Sequence, residues 1–185
     1  ATIQYLDAAD NVSWRGLGLS LTSLSGCDWG DVPANRIVGY AYDTRNRLTS
    51  TSYGDASPAI ERSYTPDGLL ASVSSDGSTW TYGYNNRRLL TAEQLSLDGA
   101  SYVIGRNYDA NGHLSVLSYP EGATVAYQPN ALGEATQVSG YASGVSYHPN
   151  GMVAGYRLSN GIQHTLTLNA RGLPYPNIDA GALND

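Results

Sequence analysis

From about residue 37 onward, short runs of alternating apolar and polar residues are separated by turn signals. Ile37-Val38-Gly39-Tyr40-Ala41-Tyr42 leads into one turn, and Arg47-Leu48-Thr49-Ser50-Thr51-Ser52-Tyr53 leads out of it. Runs at 60–64 and 70–74 bracket Pro66-Asp67-Gly68, with Asp76-Gly77 closing the unit. Later runs lie at 80–84, 124–127, 145–147 and 163–168. A period of two places alternate side chains on opposite faces of a strand, so Trp80, Tyr82 and Tyr84 share one face. No window holds an apolar period near 3.6 with helix caps, which predicts almost no helix. Asn-Gly and Asp-Gly at the turns tolerate positive φ, as tight hairpins require. The expected fold is all-β: hairpins laid side by side into a long antiparallel sheet that curls because strands twist.

The hairpins repeat. Tyr42-Asp43-Thr44-Arg45-Asn46-Arg47-Leu48, Tyr64-Thr65-Pro66-Asp67-Gly68-Leu69-Leu70, Tyr84-Asn85-Asn86-Arg87-Arg88-Leu89-Leu90, Tyr108-Asp109-Ala110-Asn111-Gly112-His113-Leu114 and Tyr147-His148-Pro149-Asn150-Gly151-Met152-Val153 follow one pattern. Degenerate copies are assigned to Tyr127 and to Leu168, the latter with Gly172. The anchors are 22, 20, 24, 19, 20 and 21 residues apart. Two strands of ~6 residues plus two short turns account for such a period, and a fixed period marks stacked units that present a surface or an enclosure.

Tyr-Asp-x-x-Gly/Asn-Arg/His-Leu, followed by a Thr/Ser-rich strand and a glycine turn, resembles the YD repeat of the Rhs family; Tyr42–Leu48 and Tyr108–Leu114 match it best. The resemblance covers roughly 37–173. It extends to Rhs toxins, the shell-forming parts of insecticidal toxin complexes and the teneurins. It implies a curved, spiralling sheet that forms part of a hollow β-shell. In bacterial members such a shell encloses a C-terminal toxin domain, which would make the partners of this segment the rest of its parent chain and that domain. The implied setting is secreted or at a bacterial cell surface. The family's aspartate-dependent self-cleavage motif and toxin domain find no match, so the implied role is non-catalytic shell wall. The pattern is broken at Arg88, Ala131 and Leu168, where different turns are expected.

Composition sharpens this picture. The chain has 21 glycines and 15 tyrosines in 185 residues, no phenylalanine, and arginine as its only strong base. Charged residues make up 14%, which suits faces covered by neighbours. A net charge of −6 excludes a phosphate-binding stripe and hence nucleic acid. No apolar run is long enough to span a membrane as a helix. Ala1–Asp7 lacks the features of a signal peptide, and the missing initiator methionine suggests a segment of something longer. Lone Cys27 is expected to be a buried structural thiol.

The turn residues Asp43, Asp67, Asn85, Asp109 and Asn150 read as Asx-turn caps rather than calcium ligands, because no local run converges several oxygens on one ion. His113, His148 and His164 lack metal-ligand spacing. Gly16-Leu17-Gly18 lacks the rest of a dinucleotide fingerprint, and no nucleophile elbow is present. No cofactor or catalytic set is assigned. Trp80, Tyr82 and Tyr84 read as sheet-stabilising aromatics, with stacking on sugar rings as the alternative; a glycan or cell-surface receptor would then be a partner. Unpaired end strands imply end-to-end association between copies.

The expected organisation is an irregular β/loop lead-in over 1–36, a repeat array over 37–173 and a frayed tail over 174–185. Tyr5 to Val12 is one worn hairpin turning at Ala9-Asp10-Asn11. Leu17, Leu19, Leu21 and Leu24 start a strand, and Gly26–Pro33 forms a loop.

Overall fold

The computed structural model describes residues 2–18 and 32–180. Cys27, the strand expected at Leu19–Leu24 and most of the Gly26–Pro33 loop lie outside the described residues.

Among the described residues, short amphipathic runs between turn formers give fifteen strands: β1 (Ile3–Leu6), β2 (Val12–Gly16), β3 (Ile37–Tyr42), β4 (Leu48–Tyr53), β5 (Ile60–Tyr64), β6 (Leu70–Ser75), β7 (Ser78–Tyr84), β8 (Leu90–Leu97), β9 (Ala100–Tyr108), β10 (Leu114–Ser118), β11 (Thr124–Ala126), β12 (Ala142–Tyr147), β13 (Val153–Leu158), β14 (Gln163–Leu168) and β15 (Pro174–Ala180). Among the described residues the helical content is two 3-10 turns, Ala34–Arg36 and Pro120–Gly122. The strands form an 11-stranded sheet, β1 to β11, and a 4-stranded sheet, β12 to β15, each in chain order and open at both ends. This is the all-β hairpin array that the alternation predicts.

Two features differ from the sequence reading. Instead of one sheet there are two, and the break falls at the degenerate repeat. Between β11 and β12 only isolated bridges form, Pro129 with Ala135 and Val138 with Ala142. Pro129 has no N–H to give a ladder, and Gln128 adopts φ 45°. The second difference is the tail. Pro174–Ala180 is a strand, paired with β14 from Leu168–Pro174 to Gln163–Ala180, so the segment from 174 to 180 is ordered sheet. Its prolines are tolerated because β15 is an edge.

Backbone contacts divide the chain into two compact units, residues 1–84 with 93–102, and residues 85–92 with 103–185. In the first, directly paired residues sort into two kinds of face. Val38 with Tyr53, Tyr40 with Thr51, Thr51 with Ile60, Arg62 with Val73 and Val73 with Trp80 make an aromatic and aliphatic side. Gly39 with Ser52, Ser50 with Glu61, Ser63 with Ser72 and Ser72 with Thr81 make a small polar side. In the second unit, Leu117 faces Val125, and the row Tyr156, His164, Asp179 crosses β13 to β15. There is little conventional core. The buried apolar side chains among the described residues are Val32 and Val125, and none is wholly enclosed. Stability therefore comes from half-covered side chains and from links between hairpins.

Candidate functional site: the tyrosine-linked turn row

Each repeat turn is a five-residue loop with one hydrogen-bond scheme. In the loop 43–47 the Asp43 N–H donates to the Arg47 carbonyl and the Asn46 N–H to the Asp43 carbonyl, both at 3.0 Å. The Asp43 carboxylate accepts from the N–H groups of Arg45 (2.8 Å) and Arg47 (3.0 Å). A short side-chain acceptor at the first position thus holds the backbone of the third and fifth, as an Asx turn does. The fourth residue must take positive φ, and it does so in the eight repeat loops described, at Asp10, Asn46, Gly68, Arg88, Gly112, Gly133, Gly151 and Gly172; the same backbone scheme recurs in the connecting turns 119–123 and 158–162, at Gly122 and Gly161. This is the three-residue hairpin with a bulge that follows a type I turn.

The first residue varies without changing the geometry. Asn85 and Asp109 accept from the same two positions as Asp43, and so does Asn169. Thr65 uses its hydroxyl to accept from the Leu69 N–H, while the same hydroxyl donates to Asp67 at 2.6 Å. At His148 the backbone pair persists, and Asn150 accepts from the Met152 N–H instead. Arg88 departs from the sequence pattern, yet it occupies the positive-φ position of a regular loop at 64°.

Two assignments change. The loop placed at Tyr127 is centred on Asn130, whose side chain accepts from Leu132 (2.9 Å) and Glu134 (3.0 Å), so Tyr127 does not precede a cap. An eighth loop stands at Asp7, which accepts from Ala9 and Asn11. The worn hairpin expected to turn at Ala9-Asp10-Asn11 is present; it was not numbered among the repeats because Leu6 replaces the tyrosine, although Asp7 stands three residues before a positive-φ residue as in the other loops.

The tyrosine that precedes five of the loops has a job that the sequence does not disclose. Its hydroxyl donates to the carbonyl of the residue that directly follows the preceding loop. Tyr42 reaches Val12 (3.0 Å), Tyr64 reaches Leu48 (2.8 Å), Tyr84 reaches Leu70 (2.9 Å), Tyr108 reaches Leu90 (2.7 Å) and Tyr147 reaches Ala135 (2.8 Å). The Tyr147 bond independently fixes Asn130 as the preceding cap. Each phenol thus satisfies a carbonyl of the neighbouring hairpin.

The loops also touch one another. Asn11 donates to Asn46 at 3.1 Å, Arg45 to the Pro66 carbonyl at 2.7 Å, and Arg87 to the carbonyls of Ala110 and Asn111 at 2.8 and 2.7 Å. Arg47 pairs with Asp43 at 2.6 Å and stands 4.4 Å from the centre of the Tyr64 ring. Hydrogen bonds from Arg47, backbone and then side chain, hold the Asp43 carboxyl below its usual range. Backbone bonds do the same for Asp7, chiefly from Asn11, and for Asp109, chiefly from His113. These carboxylates are consumed by their own loops.

Trp80, Tyr82 and Tyr84 do share a strand face, and Trp80 is 38% exposed. Among the described residues, stacked rings are Tyr5 with Trp14 and Tyr156 with His164. Residues two apart on a strand are ~6.6 Å apart, and Tyr84 leans towards Leu70. His164 lies 2.6 Å from Asp179 across β14 and β15. An open apolar groove of about 360 Å³ is lined by residues that include Val138, Val145, Tyr147, Val153, Tyr156 and Leu158. Among the described residues no three His, Cys, Asp or Glu side chains converge as metal ligands, and no helix is long and apolar enough to cross a membrane.

No family description and no curated protein matches the sequence. Solved structures do match in fold. The structure of TcdB2-TccC3 without its hypervariable C-terminal region aligns with 96% of this chain at 11% identity and a TM-score of 0.63. TcdB2-TccC3 itself aligns over 98% at 13% identity and 0.49, and TcdB2-TccC3-TEV over 98% at 13% and 0.48. The first of these carries the fold comparison. The chain spans only 10 to 12% of these structures' length. The likeness to the first of these structures is one of fold.

Proposed function

We propose that this chain is a non-catalytic wall segment of an Rhs/YD-repeat shell, which encloses and delivers a C-terminal toxin domain from a secreted or surface-bound bacterial protein. The observation that carries this reading is the tyrosine hydroxyl that ties each of five hairpins to the one before. Such links extend a sheet strand by strand without needing a core, which suits a thin wall. The fold likeness to a toxin-complex structure supports it. The carboxylates of Asp7, Asp43 and Asp109 are committed to turns.

The partners in this reading are the remainder of the parent chain and the enclosed domain. Sheet ends at β1 and β15 give copies a route to end-to-end association. The test is electron microscopy of the longest polypeptide that the gene encodes, combined with limited proteolysis. A hollow particle with a protease-resistant internal segment is the expected result. A solid particle, or a C-terminal region digested as fast as free peptide, would overturn the proposal.

Exposed Trp80 beside Tyr82 favours a second reading, in which this strand face stacks on sugar rings. Saturable glycan binding lost in Trp80→Ala supports it; no binding across a glycan array removes it.

A further inference from the structure

Five junctions between successive hairpins carry the tyrosine link, whereas β14, which ends in Leu168, pairs with β13 without one; the linked junctions show what a link at β15 would use. In every linked pair the acceptor is the carbonyl of the residue directly after a loop: Val12, Leu48, Leu70, Leu90 and Ala135. Pro174 holds that position after the loop 169–173 and begins β15, an edge of the 4-stranded sheet.

A second residue marks the same edge. Arginine occupies the third position of three loops, as Arg45, Arg87 and Arg171. The first two use their guanidinium to reach carbonyls at the second and third positions of the next loop, Pro66 in one case and Ala110 with Asn111 in the other. Arg171 is exposed, and its N–H is held by Asn169 in the same scheme. The last described hairpin therefore carries both halves of the joint used earlier in the array, an acceptor carbonyl and a reaching arginine.

We propose that the β15 edge is a docking surface selective for one partner: a β-hairpin with tyrosine directly before a five-residue Asx-capped loop. The phenol donates to the Pro174 carbonyl, and Arg171 donates to carbonyls at the tip of the incoming loop. Ordinary strand pairing is common to any edge; these two contacts supply the selectivity. A second unaltered copy of this chain offers strand pairing without the phenol contact, as the hairpin preceded by Leu168 does on β13, because its first loop is preceded by Leu6, which has no hydroxyl. The rule thus disfavours the simple end-to-end stacking of copies that open edges alone allow. This inference rests on the hairpin joint and not on the shell reading.

The test converts a poor occupant into a good one. Leu6 is 43% exposed and tolerates replacement, so Leu6→Tyr gives the first hairpin the missing phenol. Sedimentation velocity over a concentration series would compare the natural chain, Leu6→Tyr, Leu6→Phe and the double variant Leu6→Tyr with Arg171→Ala. Circular dichroism would check that all four keep their sheet. Leu6→Tyr should associate head to tail more tightly than Leu6→Phe by about fivefold, the equivalent of one net hydrogen bond. Arg171→Ala should weaken that association by several-fold more. Equal association of the Tyr and Phe variants, no effect of Arg171→Ala, or a Leu6→Tyr chain no more associated than the natural one would each overturn the proposal. None of these results bears on whether the parent particle is hollow, so the two readings fail separately.

Discussion

Replacing Tyr84 by Phe removes one oxygen and leaves the ring, which isolates the link between hairpins. The lost bond spans 2.9 Å to the Leu70 carbonyl. In an apolar medium such a bond is worth ~4–6 kcal/mol, but the freed carbonyl lies at a half-exposed sheet surface and regains water. The net cost is therefore about 1 kcal/mol, a fall in Tm of roughly 2–4 °C for a chain of this size. Tyr42→Phe and Tyr64→Phe remove separate donor–acceptor pairs, so the triple variant should lose about 3 kcal/mol. Urea unfolding with fitted slopes is the assay, with Tyr102→Phe at a 46% exposed ring as control. The Tyr84 phenol offers a second readout. Burial, then the nearby Tyr82, raises its pKa above the usual value of about 10. Folding favours the neutral donor, so this contribution is intact below the ordinary phenol pKa. It is lost as pH rises through the higher folded value. Tyr84→Phe should remove part of the alkaline decline in stability. Phe variants within about 0.3 kcal/mol of the natural chain would refute the hydroxyl link and leave ring packing as the reason for the tyrosines.

Other consequences follow from the loop scheme. The capping carboxyls of Asp7, Asp43 and Asp109 titrate below their usual range. Their stabilising effect is present above the ordinary aspartate pKa and lost as pH falls through the folded values. Since Asn85, Asn130 and Asn169 cap identical loops, the Asp7→Asn, Asp43→Asn, Asp109→Asn triple variant should keep its folded far-UV spectrum at pH 7. It should also show a smaller acid-side fall in melting temperature. Gly133 and Gly122 both adopt positive φ, 85° and 91°, but a Cβ on Gly133 would come 2.8 Å from the His113 ring, whereas Gly122 has nothing within 4 Å. Alanine at either should cost ~1 kcal/mol for the backbone, and chemical denaturation should show a larger loss at Gly133. Asn130→Ala should destabilise by ~1 kcal/mol through loss of its two accepted bonds, measured by urea melts; Tyr127→Phe should not, because that hydroxyl is not one of the links.

The alternation of residues determined that this chain is sheet, and the turn residues determined where it reverses. Both are local properties: period two sets the faces, and Asx or glycine chemistry sets the positive-φ corner. The repeat and its likeness to shell-forming proteins were legible because tyrosine, aspartate and glycine recur in phase. Local signals failed where one of the three was replaced. Leu6 kept the hairpin that turns at Ala9-Asp10-Asn11 out of the repeat series, and Tyr127 drew attention from Asn130, two residues past its expected position. The tail showed the converse: 174–185 was expected to fray, yet Pro174–Ala180 pairs with β14 as an edge strand, which can spare the N–H groups that proline lacks.

Only the tertiary structure decided what the tyrosines do. Nothing in the spacing of Tyr64 says that its hydroxyl meets Leu48, because that meeting depends on the lateral offset between successive hairpins and the lean of the ring. The same holds for the arginines, whose partners lie one loop away in space and about 21 residues away in sequence. Sequence specifies hairpins because their interactions are local. Joints between hairpins depend on strand registers, which no single repeat contains, and those joints carry the function proposed for the wall.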